Sequence, residues 1–476
     1  MKKIILLAVT LLFLIVNSGY AQLVTTDETF GQNGISLMPT NGTNNLCHLT
    51  HDNSGNIYAL GSVHGSYNQF YLAVIKTDVD GQPVQSFGTN GVSMPLPLDF
   101  EISSDHGANL SKFSINITGE NKILIFGCFS YFGYFNDQYL LLRLNEDGTQ
   151  DMSFGLEGIV LIGPEGANIG AANIESDEYI VVGGGLSVSK YDYDGELVES
   201  FGDGGTKHLY NPITGTLDML RIKVLADQSI VLAGYAQVYP TKLVCIKLDA
   251  SGNFFANFAN NGIWQTESSD YSYLIDVVED NSGNLMLLAR NYSPNVGFGM
   301  IKLSPNGIMD DSFGTDGIFH DSDVPAYKIW LYGDKYLAGY QDKLISINSN
   351  GTLDTDFNNC GVYTCENFYF RDILLQDNDK VILGGNIDDV FAMTKLVLNT
   401  NSIVNIERDR TIIYPNPVSD VLNLSSERMF EIIDISGKIL LKSAKAEKSV
   451  NVNWLKPGIY MLRFEDGKFE KFVKGF

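Results

Sequence analysis

Residues 145–160 read NEDGTQDMSFGLEGIV. A glycine-dotted acidic stretch of this kind can cradle a phosphate, hold a calcium ion, or turn the chain between two strands. Its recurrence decides which. FGQNG stands at 30–34, SFGTNG at 86–91, SFGLEG at 153–158, SFGDGG at 200–205, NFANNG at 257–262, SFGTDG at 312–317 and DFNNCG at 356–361. The anchoring aromatics are Phe30, Phe87, Phe154, Phe201, Phe258, Phe313 and Phe357. Neighbouring anchors lie from 44 residues apart (Phe313 to Phe357) to 67 (Phe87 to Phe154), as a fixed core with loops of changing length would give.

Each unit repeats the same events. A strand such as KFSINIT or YLIDVVE precedes a tight turn (GENK, NSGN), then a strand ending in glycine (KILIFG, SIVLAG, KVILGG). A variable loop leads to a strand such as FYLAVIKTD or KLVCIKLD, and an Asp/Asn-Gly turn carries the chain into FGxxG and a short last strand. The runs are short, β-branched or aromatic, and bounded by turn residues, so they read as strands. The fold class is all-β. Four-stranded units repeated this often predict a β-propeller, whose strands we call A to D in chain order.

The seventh A-B-C set, FYFRDILLQ, KVILGG and FAMTKLVL, has no FGxxG after it, while FGQNGISLM near the N-terminus has no A-B-C before it. We therefore expect seven blades, closed by the N-terminal strand pairing into the last blade and removing two sheet edges. Asp147-Gly148 is then a C–D hairpin turn, with Phe154 plugging the blade base and Gly155 and Gly158 shaping the entry of the outer strand. The A–B and C–D turns are tight; the B–C and D–A connections vary and share the opposite face, with long ones at 94–110 and 129–138. Variable loops on a rigid scaffold carry binding more often than tight turns do.

The pattern D-x-S-F-G-x-x-G, complete at Asp151–Gly158 and Asp310–Gly317, resembles the delta-60 repeat family of exported bacterial proteins. The likeness covers roughly residues 27–400 and departs from the pattern at Ala259 and Asn358. It implies architecture and no activity.

The ends differ from this body. Lys2 and Lys3 precede an apolar run from Ile4 to Val16, and small and polar residues follow to Ala21, the layout of a secretory signal over 1–21. That run is too short to span a bilayer, and no later segment is long and apolar enough, so no transmembrane protein is expected. The repeat body is expected over 22–400 and a polar linker over 401–411.

Residues 412–476 alternate strands and turns like a small β-sandwich. They resemble the C-terminal, type A sorting domain of the type IX secretion system of Bacteroidetes. The likeness is carried by Tyr414-Pro415-Asn416-Pro417, Asp434-Ile435-Ser436-Gly437-Lys438, Leu455-Lys456-Pro457-Gly458-Ile459-Tyr460 and Lys471-Phe472-Val473-Lys474. It implies entry to the periplasm, passage through the outer membrane by that machinery, and release or attachment at the surface. An ordinary immunoglobulin-like accessory domain is the alternative.

Composition narrows the chemistry. A net charge of −24 argues against nucleic acid, whose phosphates need Lys and Arg. Cys128 and Cys245 sit in apolar strand patterns and read as buried thiols, whereas Cys360 and Cys365 flank GVYT and leave local pairing open. His48 and His51, three apart on one strand, point to opposite faces and read as ordinary polar positions; the remaining histidines are His64, His106, His208 and His320. No G-x-S-x-G, H-E-x-x-H or Walker loop occurs, and no catalytic site, metal site or cofactor is assigned. The turns DVDG (78–81), NEDGTQD (145–151) and DYDGELVE (192–199) carry too few ligands for an EF-hand and read as hairpins, with at most one weak calcium site among them.

The loops between B and C strands carry Tyr67, Phe70, Phe129, Tyr131, Phe132, Tyr134, Phe135, Tyr235, Tyr239 and Tyr292. On one face they could stack on sugar rings or anchor a protein; buried, they would seal gaps between blades. Three readings follow: a binding or adhesion module for glycan or protein, a hydrolase or lyase with an acidic axial site, and a purely structural surface protein. Two or three carboxylates or a His–Asp group converging within hydrogen-bond reach at the channel mouth would sink the binding reading in favour of the enzyme.

Overall fold

The computed structural model describes residues 23–475, apart from 39–43, 65–69, 95–99, 102–112, 132–136, 163–171, 176–177, 184–186, 210–215, 267–270, 291–296, 325, 367, 378, 400–412, 415–416, 435–437 and 466–468. The signal segment and the linker expected from the sequence lie outside them. Two compact units, Met1–Asn401 and Ser402–Phe476, divide the chain.

The first unit is a seven-bladed β-propeller. The A strands are Asn44–His51, Ser114–Ile117, Ala172–Glu175, Thr216–Val224, Tyr273–Glu279, Lys328–Tyr332 and Tyr369–Asp377. Each touches the next in order and the last touches the first, so they ring the axis. Six sheets run A to D antiparallel; in blade 4, for example, Thr216–Val224, Ile230–Gln237, Lys242–Leu248 and Ile263–Gln265 follow one another outward. Blade 2 gains an extra piece from its long connection, Phe100–Glu101, which pairs with Ser130 and Tyr131.

The B and C strands are buried on both faces, as Ile230–Gln237 and Lys242–Leu248 show, because each blade is flanked by two others. That is why they read as continuous apolar runs rather than alternating ones. The core therefore lies between blades: Tyr58, Leu60 and Val74 of blade 1 pack with Ile123, Ile125 and Leu140 of blade 2.

The ring closes as the repeat count requires. The last C strand, Val390–Asn399, is paired by Leu23–Thr26 (Leu23 to Asn399) and by Ile35–Met38 (Ile35 to Thr394). Between these two strands runs the loop that carries Phe30.

The FGxxG stretch is a joint between blades. In the complete motif, Asp151 Oδ1 accepts from the Ser153 N–H and hydroxyl, and Phe154 N–H donates to Asp151 O. Asp27 with Thr29 and Asp310 with Ser312 repeat this turn. All seven anchoring phenylalanines are at most 1% exposed. Their rings seat against the next blade rather than merely plugging their own: a Cβ on Gly252 would lie 2.9 Å from the Phe201 ring, and one on Gly148 2.9 Å from Phe87. Both glycines also hold positive φ (+82° and +85°), so hairpin geometry and close approach both select glycine. A backbone hydrogen bond crosses beside each ring, as from Gly202 N to Ser251 O (2.9 Å) and Gly88 N to Asp147 O (2.8 Å). Phe357 differs: it packs with Val24, Leu396 and Leu398 at the closing seam.

In blade 2 the joint holds a buried cation. Arg143 Nε donates to Asp151 Oδ2 at 2.8 Å, and its guanidinium lies between the Phe154 and Tyr193 rings (4.6 and 4.2 Å to the centroids). Burial pushes Asp151 up, but the Ser153 and Lys122 hydrogen bonds and the Arg143 charge outweigh it and hold the carboxyl at about 2.

The second unit packs a three-stranded sheet (Ile413–Tyr414, Val421–Arg428, Glu447–Asn451) and a four-stranded one (Ile439–Lys442, Phe430–Asp434, Gly458–Phe464, Phe469–Lys474) around one core containing Leu422, Ile432, Leu462 and Phe472. It is the small sandwich read from the sequence.

Candidate functional site

Propeller function sits at the axis or on the loop faces, and each has a candidate here. At the axis, among the described residues, the A strands of six blades line a cavity of about 280 Å³. Four of those strands carry a register shift, between Leu46 and His48, Met219 and Arg221, Leu274 and Asp276, and Phe370 and Asp372. A β-bulge turns the following side chain to the other face of its strand. The polar residue after each of these four shifts lines the cavity, joined by Lys223, Lys328 and Trp330.

Their contacts form two groups. Asp372 Oδ2 accepts from Leu49 N at 2.8 Å, stands 3.6 Å from His48 Nδ1, and Asp372 Oδ1 is 3.9 Å from Lys328 Nζ. Asp276 Oδ2 accepts from Ile329 N at 3.0 Å, while Oδ1 is 3.8 Å from Arg221 Nε. Both carboxylates thus tie one blade's bulge to the next blade's A-strand backbone. Burial pushes the Asp372 carboxyl up, but Lys328, His48 and the Leu49 N–H together hold it below the usual range. Burial is also the main influence on His48, and it lowers the imidazole's pKa against the raising effect of Asp372.

His48 therefore corrects the sequence reading. It does face away from exposed His51, but it is a buried axial residue rather than an ordinary polar strand position. Apart from the charged types at single positions in the A strands, nothing in the sequence signals this cluster.

On the variable face, Arg290 ends the B strand of blade 5 and stacks on Tyr327, 3.9 Å from the ring centroid. Tyr327 packs on Tyr340 (4.0 Å between centroids), and Tyr235 meets Tyr273 edge-on at 5.1 Å. All five side chains are half-buried. Of the expected aromatics, Tyr235 joins this group and Tyr239 stands fully exposed apart from it. Phe129 and Tyr131 lie on the strand Ile123–Tyr131, and their side chains are outside the described residues, as are Tyr67, Phe132, Tyr134, Phe135 and Tyr292. Phe70 begins the strand Phe70–Thr77, its side chain likewise undescribed.

The acidic turns are occupied by backbone. Asp78 Oδ1 accepts from Asp80 N and Gln82 N, Asp192 Oδ1 from Asp194 N and Glu196 N, and Asp147 Oδ1 from Thr149. Among the described residues no group of three or more His, Cys, Asp or Glu is placed to hold a metal. Cys360 and Cys365 are free thiols, exposed and buried respectively, and Cys245 is a buried thiol.

In the C-terminal unit the motif residues shape turns. Lys438 N donates to Asp434 Oδ1, Tyr460 Oη donates to Lys456 O beside Pro457 and Gly458, Tyr460 stacks on Phe472, and buried Lys474 donates to Gly475 O. Pro417 is exposed; Pro415, Asn416 and Gly437 lie outside the described residues.

The body is thus a β-propeller with polar groups at the axis and a tyrosine–arginine cluster on its variable face. Residues 412–475 match the family of secretion system C-terminal sorting domains, which marks the chain for export to the outer-membrane surface or the medium. No curated protein matches the sequence. Among solved structures, the chain is similar to PorZ, a surface component of the type-IX secretion system of Porphyromonas gingivalis (12% identity, 92% of this chain and 61% of that one, TM-score 0.38). It is also similar to the extracellular domain of a one-component system of B. thetaiotaomicron (12%, 95% and 57%, 0.40). A third is the Pan2 WD40 domain of Neurospora crassa (9%, 80% and 97%, 0.46). The chain spans about three fifths of the length of the first two. Among the described residues no helix is long and apolar enough to cross a membrane.

Proposed function

We propose that this chain is an exported propeller that binds an extracellular glycan or protein, with its C-terminal unit read by the type IX machinery and the body then released or held at the surface. The observation that carries this reading is the cluster of Tyr235, Tyr273, Tyr327 and Tyr340 around Arg290. Tyrosine offers a flat apolar face and a hydroxyl, and arginine a planar donor, the combination that stacks on sugar rings and anchors protein partners. The cluster spans three adjoining blades on the variable face, where loop exchange changes a ligand without disturbing the ring. A glycan array with the full chain, with R290A and Y340A, and with a variant lacking the aromatics of 129–135 tests this. Binding that survives all three changes would remove both aromatic proposals.

A hydrolase or lyase is the second reading, favoured by the axial convergence of His48 and Asp372. It ranks second because 3.6 Å is outside direct hydrogen-bond range and Asp372 already accepts from Leu49 N beside Lys328. A general base needs an accessible lone pair facing substrate. Turnover of any polysaccharide that disappears in H48A would reverse the ranking.

A further inference from the structure

We infer that the outer edge of blade 2, at its joint with blade 3, docks a protein segment in which basic and apolar residues alternate. The tyrosine cluster belongs to blades 4 to 6, so the two surfaces are separate. Here the seven joints serve as one another's controls. Leu156 is 79% exposed and Met152 61%, both in the blade 2 loop that carries Phe154. The place of Leu156 is taken by Gln32, Thr89, Asp203, Asn260, Thr315 and Asn359 in the other joints. At the place of Met152 the others carry an acid, glutamine, threonine or alanine. Contact with water alone thus selects polar or small residues, and blade 2 departs from that. Arg143, stacked between Phe154 and Tyr193, fixes the loop that holds the two large side chains in solvent. Such an apolar surface marks a site of contact with another molecule.

The outer strand, Ile159–Leu161, continues that surface. Leu156 bridges Ile159, so their side chains share a face, and Leu161 lies on it two residues further, 59% exposed. Ile159 packs against the core between blades 1 and 2, which puts this face on the blade 1 side. Val160 points the other way: a Cβ on Gly195, in the blade 3 hairpin, would lie 2.6 Å from Val160 Cγ2. Among the described residues nothing pairs with the outer side of this strand. A segment added there would set apolar residues on the blade 1 side and the alternate ones beside blade 3.

Charge decides what those alternate residues are. Residues 113–208, the whole of blades 2 and 3, carry fifteen Asp and Glu against four Lys and Arg. Lys122 and Arg143 pair with Asp151, Lys190 is buried, and Lys207 lies over the Phe254 ring of blade 4. Asp194, Glu196 and Glu199 on the blade 3 side are exposed, as is Glu157 beside Leu156. The complementary partner is basic. A second copy of this chain, at a net charge of −24, would be repelled.

Fluorescence anisotropy of a labelled KVKVKVKV peptide with the full chain, in about 0.15 M salt to screen distant charges, tests this. We expect saturable binding, about tenfold tighter than that of KSKSKSKS or EVEVEVEV. The variant M152E/L156T carries residues that other joints already hold, and it should weaken KVKVKVKV binding by about tenfold or more. Should it melt early, L156T alone gives the reading. I308T removes a similarly exposed side chain from the blade 5 hairpin and should leave binding unchanged. Attraction by charge alone predicts the opposite sign, because M152E adds a carboxylate. Equal or tighter binding by M152E/L156T therefore overturns the assignment, as does equal binding of KSKSKSKS or a matching loss in I308T. A wild-type dimer in sedimentation that M152E/L156T dissolves would give the surface to a second copy and overturn it too.

Discussion

His48 Nδ1 and Asp372 Oδ2 stand 3.6 Å apart across the meeting of the first and last blades, although nearly the whole propeller sequence separates them. The pair belongs to the contact by which the ring holds itself shut at the axis, since Asp372 also receives the Leu49 N–H from the same neighbouring strand.

Asp372→Ala removes the carboxylate and leaves a buried N–H and a nearby ammonium without it. Breaking a buried charged group of this kind costs about 3–5 kcal/mol, read as a lower urea midpoint. A loss below about 1 kcal/mol, the level of an exposed pair, would show that the strut is dispensable.

Acid should unfold the chain in two stages. The His48 pKa in the fold lies below the usual 6.5, so the unfolded chain takes the proton first and stability declines as pH drops below 6.5. Asp372 and Asp151 are held below 3.8, so their contribution is complete above that value and is lost as pH falls through their lowered folded pKa values, about 2 for Asp151. Urea midpoints from pH 8 to pH 5 should fall for the wild type and stay flatter for H48N. Parallel curves would assign the first stage to other groups.

The Phe201–Gly252 joint predicts non-additivity. Phe201→Ala should cost about 3–5 kcal/mol as a core truncation. Gly252→Ala should cost about 1–3 kcal/mol, from positive φ and from the ring 2.9 Å away. The double variant should fall short of the sum by more than about 1 kcal/mol, because the missing ring makes room for the methyl group. Gly204→Ala is the control: its φ is +59°, with nothing within 4 Å of an added Cβ, so it reports backbone strain alone. Strict additivity of the pair would mean that the ring is not what the glycine accommodates.

Deleting residues 23–38 should leave Val390–Asn399 as an open edge and produce an aggregating or partly folded chain. A synthetic peptide of residues 22–39 added in trans should restore the melting transition. Full stability of the deletion alone would contradict closure by these strands.

Much of the propeller was legible because its signals are local and repeated. Phe-Gly-x-x-Gly marks each joint, and the surplus copy at Phe30 and the missing one after Leu398 point to each other. The axial cluster was not legible for two physical reasons. Its members stand singly on different strands, so no spacing rule links His48 with Arg221, Asp276 or Asp372. Their orientation also depends on bulges, which shift register by one residue and leave no mark in the alternation of side chains. Likewise Tyr235 was found because it lies in a recognisable B-strand end, whereas Arg290, Tyr327 and Tyr340 acquire meaning only once three blades stand side by side.

The closing strands also impose an order in time. Leu23 pairs with Asn399, so the contact of longest sequence separation is the one that completes the ring. On any route that delivers the N-terminus first, Leu23–Thr26 must wait through six blades for its partner, and contacts this distant form slowly. During that wait it is a strand without a sheet, and the last blade, once made, is a sheet without its outer strand. Two such chains at high concentration can each supply what the other lacks. A strand-exchanged dimer would contain the same pairings as the monomer and differ only in which molecule donates the first strand.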